Sequence, residues 1–340
     1  MNSATRRWAL LVVGFAVSAL FVYLTLAKVD LKELRAVLGT VSVPILSLAI
    51  VTRGLGFVFV TARAQILLKP LHEYGWGRQL KSILLGFVGN NLLPFRLGEL
   101  LRVGYLARWG GVPAGSIFAV AALERLLDTF TLMMMFLSLL PLMVADVAPG
   151  VGVYVMAGLL VVGVVVVLLA SRWPQPFVTL ARVTTAPLGR RVSGFFVLQA
   201  QRFAEGLAGM RSPVAVAGAF AMTLGYWASS IAGIVVFLWA FGMQVPWFTS
   251  VLVMVFVAFG TLLPSAPAFV GTYDYFAARA LALVHIGPTV AASFALVMHT
   301  VAFLPWTLFA IPVVYLDLVA GWRGSRRASQ PETFPFTGEM

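Results

Sequence analysis

The sequence predicts an all-α polytopic membrane protein with about six full spans and two re-entrant helical hairpins, arranged as an inverted repeat. Three observations carry that prediction. Of the 340 residues, 61% are hydrophobic and only 11% are charged, against about 25% charged in soluble domains. Several apolar runs reach the ~20 residues that cross a bilayer. Two further apolar runs stop short of that length at turn-forming residues, Asn90–Asn91–Pro94 and Pro264–Pro267.

The elements follow in order. An apolar run at 8–27 comes after Arg6 and Arg7, which place its start in the cytoplasm by the positive-inside tendency. It shows no small-residue cleavage site and reads as a retained first span. Residues 29–39 alternate Leu31, Leu34, Val37 and Leu38 with Lys32, Glu33 and Arg35, the pattern of a short amphipathic helix on the outer interface. Val43–Leu68 returns inward with Arg53 near its middle. Residues 79–88 and 97–107 are each too short to cross alone. A long helix, Ala114–Met143, leads to the loop 145–150, which has no Lys or Arg and so reads as outside. The span at 151–170 ends at Arg172, Arg182, Arg190, Arg191, Arg202 and Arg211, a region that reads as inside and includes an amphipathic helix at 192–210.

Working back through these signs, the segment 77–108 begins and ends on the cytoplasmic side. It enters, turns at Asn90–Pro94 and returns. The second half repeats the plan. A span at 214–241 is followed by 248–263, the tip Pro264-Ser-Ala-Pro267, a short helix at 273–284 and a last span at 288–316. Arg323, Arg326 and Arg327 mark the inner end, so 245–287 is a hairpin entering from outside. Leu92-Leu93-Pro94 with Gly98 and Glu99 is echoed by Leu262-Leu263-Pro264 with Gly271 and Asp274. The expected organisation is a first repeat at 1–145, a second at 146–320 with a cytoplasmic amphipathic loop at 172–211, and a disordered tail at 321–340. Inverted repeats with broken helices are a transporter architecture, with the site between the repeats.

Composition removes other classes. The formal charge is +12, but without a basic soluble domain it points to cytoplasmic loops and anionic lipid rather than to nucleic acid. There is no cysteine and only three dispersed histidines, which argues against thiol chemistry and a metal site. No Walker loop, hydrolase elbow or zinc-ligand spacing occurs, so no cofactor is expected.

Charges inside spans are expensive and mark candidate sites. At the first tip, Pro94 breaks the helix, and Asn90 and Asn91 either cap the turn or face a ligand. The helix that follows points its N-terminus at the membrane interior, a setting that favours an anion. Arg96, Glu99 and Arg102 recur every third residue, so they are expected on one helical face, with Glu99 paired to either arginine. The surplus positive charge suits a phosphate or snorkels to lipid head groups. Glu124, Arg125 and Asp128 lie mid-helix and leave a negative surplus, which Arg53 is expected to neutralise across a helix interface. Asp274 opens the helix after the second tip, with Tyr273, Arg279 and His299 as expected neighbours. Gly98, Pro264, Pro267 and Gly271 complete the two tips.

The motifs NNLLPFRLGELLR (90–102), ALERLLD (122–128) and LLPSAPAFVGTYD (262–274) resemble the lysylphosphatidylglycerol synthase transmembrane-region family, also called UPF0104, over nearly the whole chain. The resemblance implies a helical membrane domain that moves or binds lipids, with relatives that include lipid flippase domains and stand-alone proteins of glycolipid and hopanoid pathways. It places Asn91, Pro94, Arg96, Gly98, Glu99 and Arg102 in a first functional element, Glu124, Arg125 and Asp128 in a second, and Pro264, Pro267 and Gly271 in a third. The family's synthase reaction belongs to a separate soluble aminoacyl-transferase domain, and no soluble segment of that size lies in these residues. Ala268 stands where a glycine is expected after Pro267, and Tyr273-Asp274 replaces a phenylalanine–glutamate pair.

The function these readings predict is a lipid transporter or flippase of the cell (plasma or inner) membrane, with both termini cytoplasmic. Its substrate would be an anionic, polyprenyl-linked or glycosylated lipid. Two rivals are a non-catalytic accessory of a lipid-biosynthesis enzyme and an intramembrane head-group transferase using Glu124, Asp128 or Asp274 as acid or base.

Overall fold

The computed structural model describes residues 3–93, 96–143, 158, 162, 166, 169–263 and 265–328. Every regular element among them is helical. In order these are α1 (Ser3–Leu26), α2 (Leu31–Thr40), α3 (Val43–Leu68), α4 (Trp76–Leu92), α5 (Gly98–Gly110), α6 (Ala114–Met143), α7 (Pro174–Thr185), α8 (Arg190–Gly206), α9 (Pro213–Ala240), α10 (Thr249–Gly260), α11 (Thr272–Ala282) and α12 (Pro288–Ala328).

Among the described residues, Val43–Leu68, Pro213–Ala240 and Pro288–Asp317 are long and apolar enough to cross a membrane. Their outer faces carry exposed Val51, Leu55, Leu308 and Phe309, side chains that lipid rather than water would cover. The protein is thus an all-α membrane protein. α1 and α2 meet at 84°, and Asp30 caps α2 by accepting from the Lys32 and Glu33 amides. The span expected at 151–170 lies mostly outside the described residues. α12 continues to Ala328, so the structureless tail expected from 321 does not begin there: its first eight residues prolong the helix.

Two helical hairpins occupy the middle of each half. α4 and α5 pack against each other from the turn downward. At the turn the approach is so close that a Cβ on Gly98 would strike the Gly86 carbonyl and the Asn90 amide. Pro94 itself lies outside the described residues. α10 and α11 form the second hairpin, joined through the 3₁₀ turn Pro267–Phe269; Pro264 lies outside the described residues. α3 and α9, the spans preceding the two hairpins, pack along their length through small residues. Gly56 faces Tyr226 and Ser229, and Gly233 faces Thr52, the kind of contact that lets membrane helices approach closely.

The two tips meet. Arg96, at the first, donates from Nη2 to the Thr261 carbonyl at the end of α10 (2.6 Å), and its guanidinium lies over the Phe269 ring of the second tip (5.2 Å). α1 braces the second tip from behind: the Ser18 hydroxyl accepts from the Ala266 amide at 2.7 Å.

Candidate functional site

Between the two tips and the α3–α9 pair lies a cavity of about 330 Å³. Its polar wall includes Arg53, Asn90, Asn91, Arg96, Glu99, Arg102, Arg125, Asp128 and Tyr273, with Tyr226, Ser229 and Ser230 contributed by α9. The rest of the wall is apolar, including Phe57, Phe87, Leu132, Met254 and Phe303. The size sits at the low end of small-molecule sites, roughly 300–1,000 Å³. That is room for a head group and not for acyl chains.

The charges are sorted by their ion pairs. Arg102 grips Glu124 with two hydrogen bonds, 2.6 and 3.1 Å, and Glu124 is 0% exposed. Arg63 of α3 grips Asp128 in the same two-pronged way, 2.6 and 3.3 Å, and also donates to the Thr223 hydroxyl at 3.1 Å. Arg125 donates to Glu99 at 2.9 Å and lies 3.4 Å from Asp128. The two-pronged Arg102–Glu124 and Arg63–Asp128 contacts belong to the strong class of charge-assisted pairs; they and Arg125–Glu99 each join two helices, while Arg125–Asp128 lies within α6.

Three sequence expectations are corrected here. Arg53 does not neutralise Glu124 or Asp128; Arg102 and Arg63 do. Arg63 escaped notice because its helix ends close by at Lys69, where an arginine reads as interfacial. Glu99 does not pair with Arg96; its close partner is Arg125 across the α5–α6 interface, with Arg102 at 3.9 Å. Finally, Arg96 does not share the α5 face with Glu99 and Arg102. It precedes the helix with φ of 54°, a left-handed conformation unusual for a side chain larger than glycine. That twist aims it across the cavity instead of along α5.

What remains is two guanidiniums without a carboxylate partner among the described residues. Arg53 is stacked beside Phe57 and Phe87, 5.7 and 5.6 Å from the ring centres, and its Nε is buried without a hydrogen-bond partner. Arg96 has only the Thr261 carbonyl and the Phe269 face. Both line the cavity. Asn91 is spent on its Nδ2 side, donating to the Thr307 hydroxyl at 2.7 Å, while its Oδ1 and that of Asn90 are buried without partners.

Asp274 and His299 lie outside the cavity wall, behind Tyr273. The His299 ring stacks on Tyr273 with centres 4.5 Å apart. Its Nδ1 is 3.0 Å from Asp274 Oδ1, and Asp274 Oδ2 accepts from the Gly271 amide at 3.0 Å. Gly271 has φ of 85° and presses on the Ser18 carbonyl, so the tip needs a residue without Cβ there. Arg279 is exposed and takes no part. A further cluster that sequence reading missed ties the first hairpin to α12: Lys81 and the Tyr105 hydroxyl both donate to Asp317. Among the described residues no group of three His, Cys, Asp or Glu is placed to hold a metal.

The family model for the lysylphosphatidylglycerol synthase TM region matches residues 11–310. The chain is also 30% identical over 131 residues to the UPF0104 membrane protein MJ1595 of Methanocaldococcus jannaschii, a match covering 37% of each chain. The match therefore spans little more than a third of that curated relative's length. By the extent of the family match, together with its helical membrane fold, the chain belongs to the lysylphosphatidylglycerol synthase transmembrane-region family.

Proposed function

We propose that this protein moves a lipid with an anionic or glycosylated head group between the leaflets of the cell membrane. The observation that carries the reading is the pair Arg53 and Arg96, two guanidiniums at one cavity with no carboxylate in ion-pair contact among the described residues. Half-burying such charge at membrane depth is costly, and an entering phosphate would relieve it with charge-assisted hydrogen bonds. The hairpins supply the route: α4–α5 and α10–α11 are re-entrant, they enter from opposite faces, and their tips close on the head group while its chains stay in the bilayer. The termini lie on the cytoplasmic side, in keeping with the basic residues near both.

The carboxylates favour transport over head-group transfer. Glu99, Glu124 and Asp128 are each held by an arginine, an arrangement that suits charge balance; of the three only Glu99 keeps a buried oxygen, Oε2, without a hydrogen bond. The test is reconstitution in liposomes with fluorescent or radiolabelled lipids, together with mass spectrometry of lipids that co-purify. We expect acceleration of leaflet exchange for an anionic or polyprenyl-linked lipid. Folded protein that accelerates none of them contradicts the proposal.

A further inference from the structure

The second tip holds a hydrogen-bonding problem that only an additional proton solves. His299 Nδ1 faces Asp274 Oδ1 at 3.0 Å, and Nε2 faces the Ala268 carbonyl at 2.9 Å. Both partners are acceptors when Asp274 is ionised. A neutral imidazole has one donor and one lone pair. Whichever tautomer is drawn, one ring nitrogen then turns a lone pair toward an oxygen lone pair in a buried site. Satisfying both contacts takes one proton beyond those of a carboxylate and a neutral ring, shared between the two side chains.

That proton closes a strained turn. Ala268 and Phe269 both sit in the left-handed region, φ of 57° and 62°, which disfavours residues with a Cβ. The bond from His299 Nε2 to the Ala268 carbonyl holds this turn in place. Phe269 is also the ring beneath Arg96. The chain of contacts thus runs from the shared proton, through the turn, to one of the two unpaired cavity arginines.

The surroundings offer no substitute charge. α11 brings Tyr273 and Asp274 to the ring, and α12 adds Phe303, 4.9 Å away. α10 has no titratable residue. Arg53 of α3, Tyr226 of α9 and Arg96 of the first tip are the nearest titratable groups across the cavity, and no hydrogen bond or ion pair joins them to either partner.

We propose that Asp274 and His299 form a proton-binding site that locks the second hairpin tip, so that proton binding and closure of the tip are linked. As the coupling ion of a transporter, the proton's role rests on the lipid-transport reading. The binding site itself does not, and the test separates the two. The chain has no cysteine, so a single one placed at Ser265, 8% exposed in the tip, reports opening through its rate of labelling by a membrane-permeant maleimide. Glu73→Cys, at an exposed loop position, corrects for the reagent's own pH dependence.

In full-length protein in lipid nanodiscs, the Ser265→Cys rate relative to the control should rise about tenfold from acid to alkaline pH, the effect of losing one charged hydrogen bond. Asp274→Asn should abolish the rise and stay slow, because its amide can donate to Nδ1 while its oxygen still accepts from Gly271. His299→Phe should label fast at every pH; should it not fold, Asp274→Asn decides. A ratio that does not change with pH, or a rise that survives Asp274→Asn, overturns the proposal. A flat ratio in protein that exchanges lipid removes the proton site alone. A pH-dependent ratio in protein that exchanges none removes the transport reading alone.

Discussion

Arg63 and Arg102 are 1% and 5% exposed and each spans two helices to a carboxylate with paired hydrogen bonds. Arg53 shares α3 with Arg63, and Arg96 lies just ahead of α5, which carries Arg102; both reach the cavity wall, where their close contacts among the described residues are aromatic faces and one carbonyl. Residue type is the same in the two pairs, although Arg63 and Arg102 are fully enclosed and Arg53 and Arg96 are half-buried. What differs is whether the chain itself supplies the counter-charge. Where it does, the arginine fastens helices together; where it does not, the charge is left for something the chain does not contain.

Variants can break or sharpen this contrast. The largest effect is expected from Glu124→Ala, which strands Arg102 in a fully buried site. It should cost about 3–5 kcal/mol, read as a large loss of thermal stability and of folded yield. Replacing both partners, Arg102→Met with Glu124→Leu, should recover much of that loss, since a buried pair exchanged for apolar residues is often neutral. If the double change is as damaging as the single one, the pair does more than neutralise charge.

Next in size is Arg53→Ala. It should slow lipid exchange about tenfold or more, the worth of one charge-assisted bond to a phosphate, while changing stability far less than Glu124→Ala. The smallest effect is Ala268→Gly at the second tip. Relief of the left-handed conformation is worth ~1–2 kcal/mol, partly offset by the greater freedom of glycine in the unfolded chain. The net gain should be under about 1 kcal/mol in a thermal melt.

Much of the fold can be read from the residues. Val43–Leu68 ends where its apolar run ends, and both hairpins announce themselves as short runs cut by Asn, Pro and Gly. The polar residues of the first tip gather at one cavity with Arg125 and Asp128 of α6, while Glu124 is buried behind its wall on Arg102. Which charge holds which is another matter. Glu99 and Arg125 are 26 positions apart, and Arg63 and Asp128 are 65 apart. No spacing rule within one helix reaches across such gaps; they are set by how helices are rotated against each other. The left-handed turn at Ala268–Phe269 was hidden for a different reason. Sequence signals for positive φ rely on glycine and asparagine, and here neither is used. α7 lies in the stretch 172–211 read as a cytoplasmic amphipathic loop, with Pro174 at its first turn, where a missing N–H costs little.

The central claim, that the unpaired arginines receive the head group, is tested most directly by measuring leaflet exchange of an anionic lipid by the Arg53→Ala/Arg96→Ala double variant beside the unaltered protein. Thermal melts of the same preparations should accompany it. The unaltered protein should exchange the lipid, and a double variant that remains folded should fall to near background. Undiminished exchange by the double variant would contradict it.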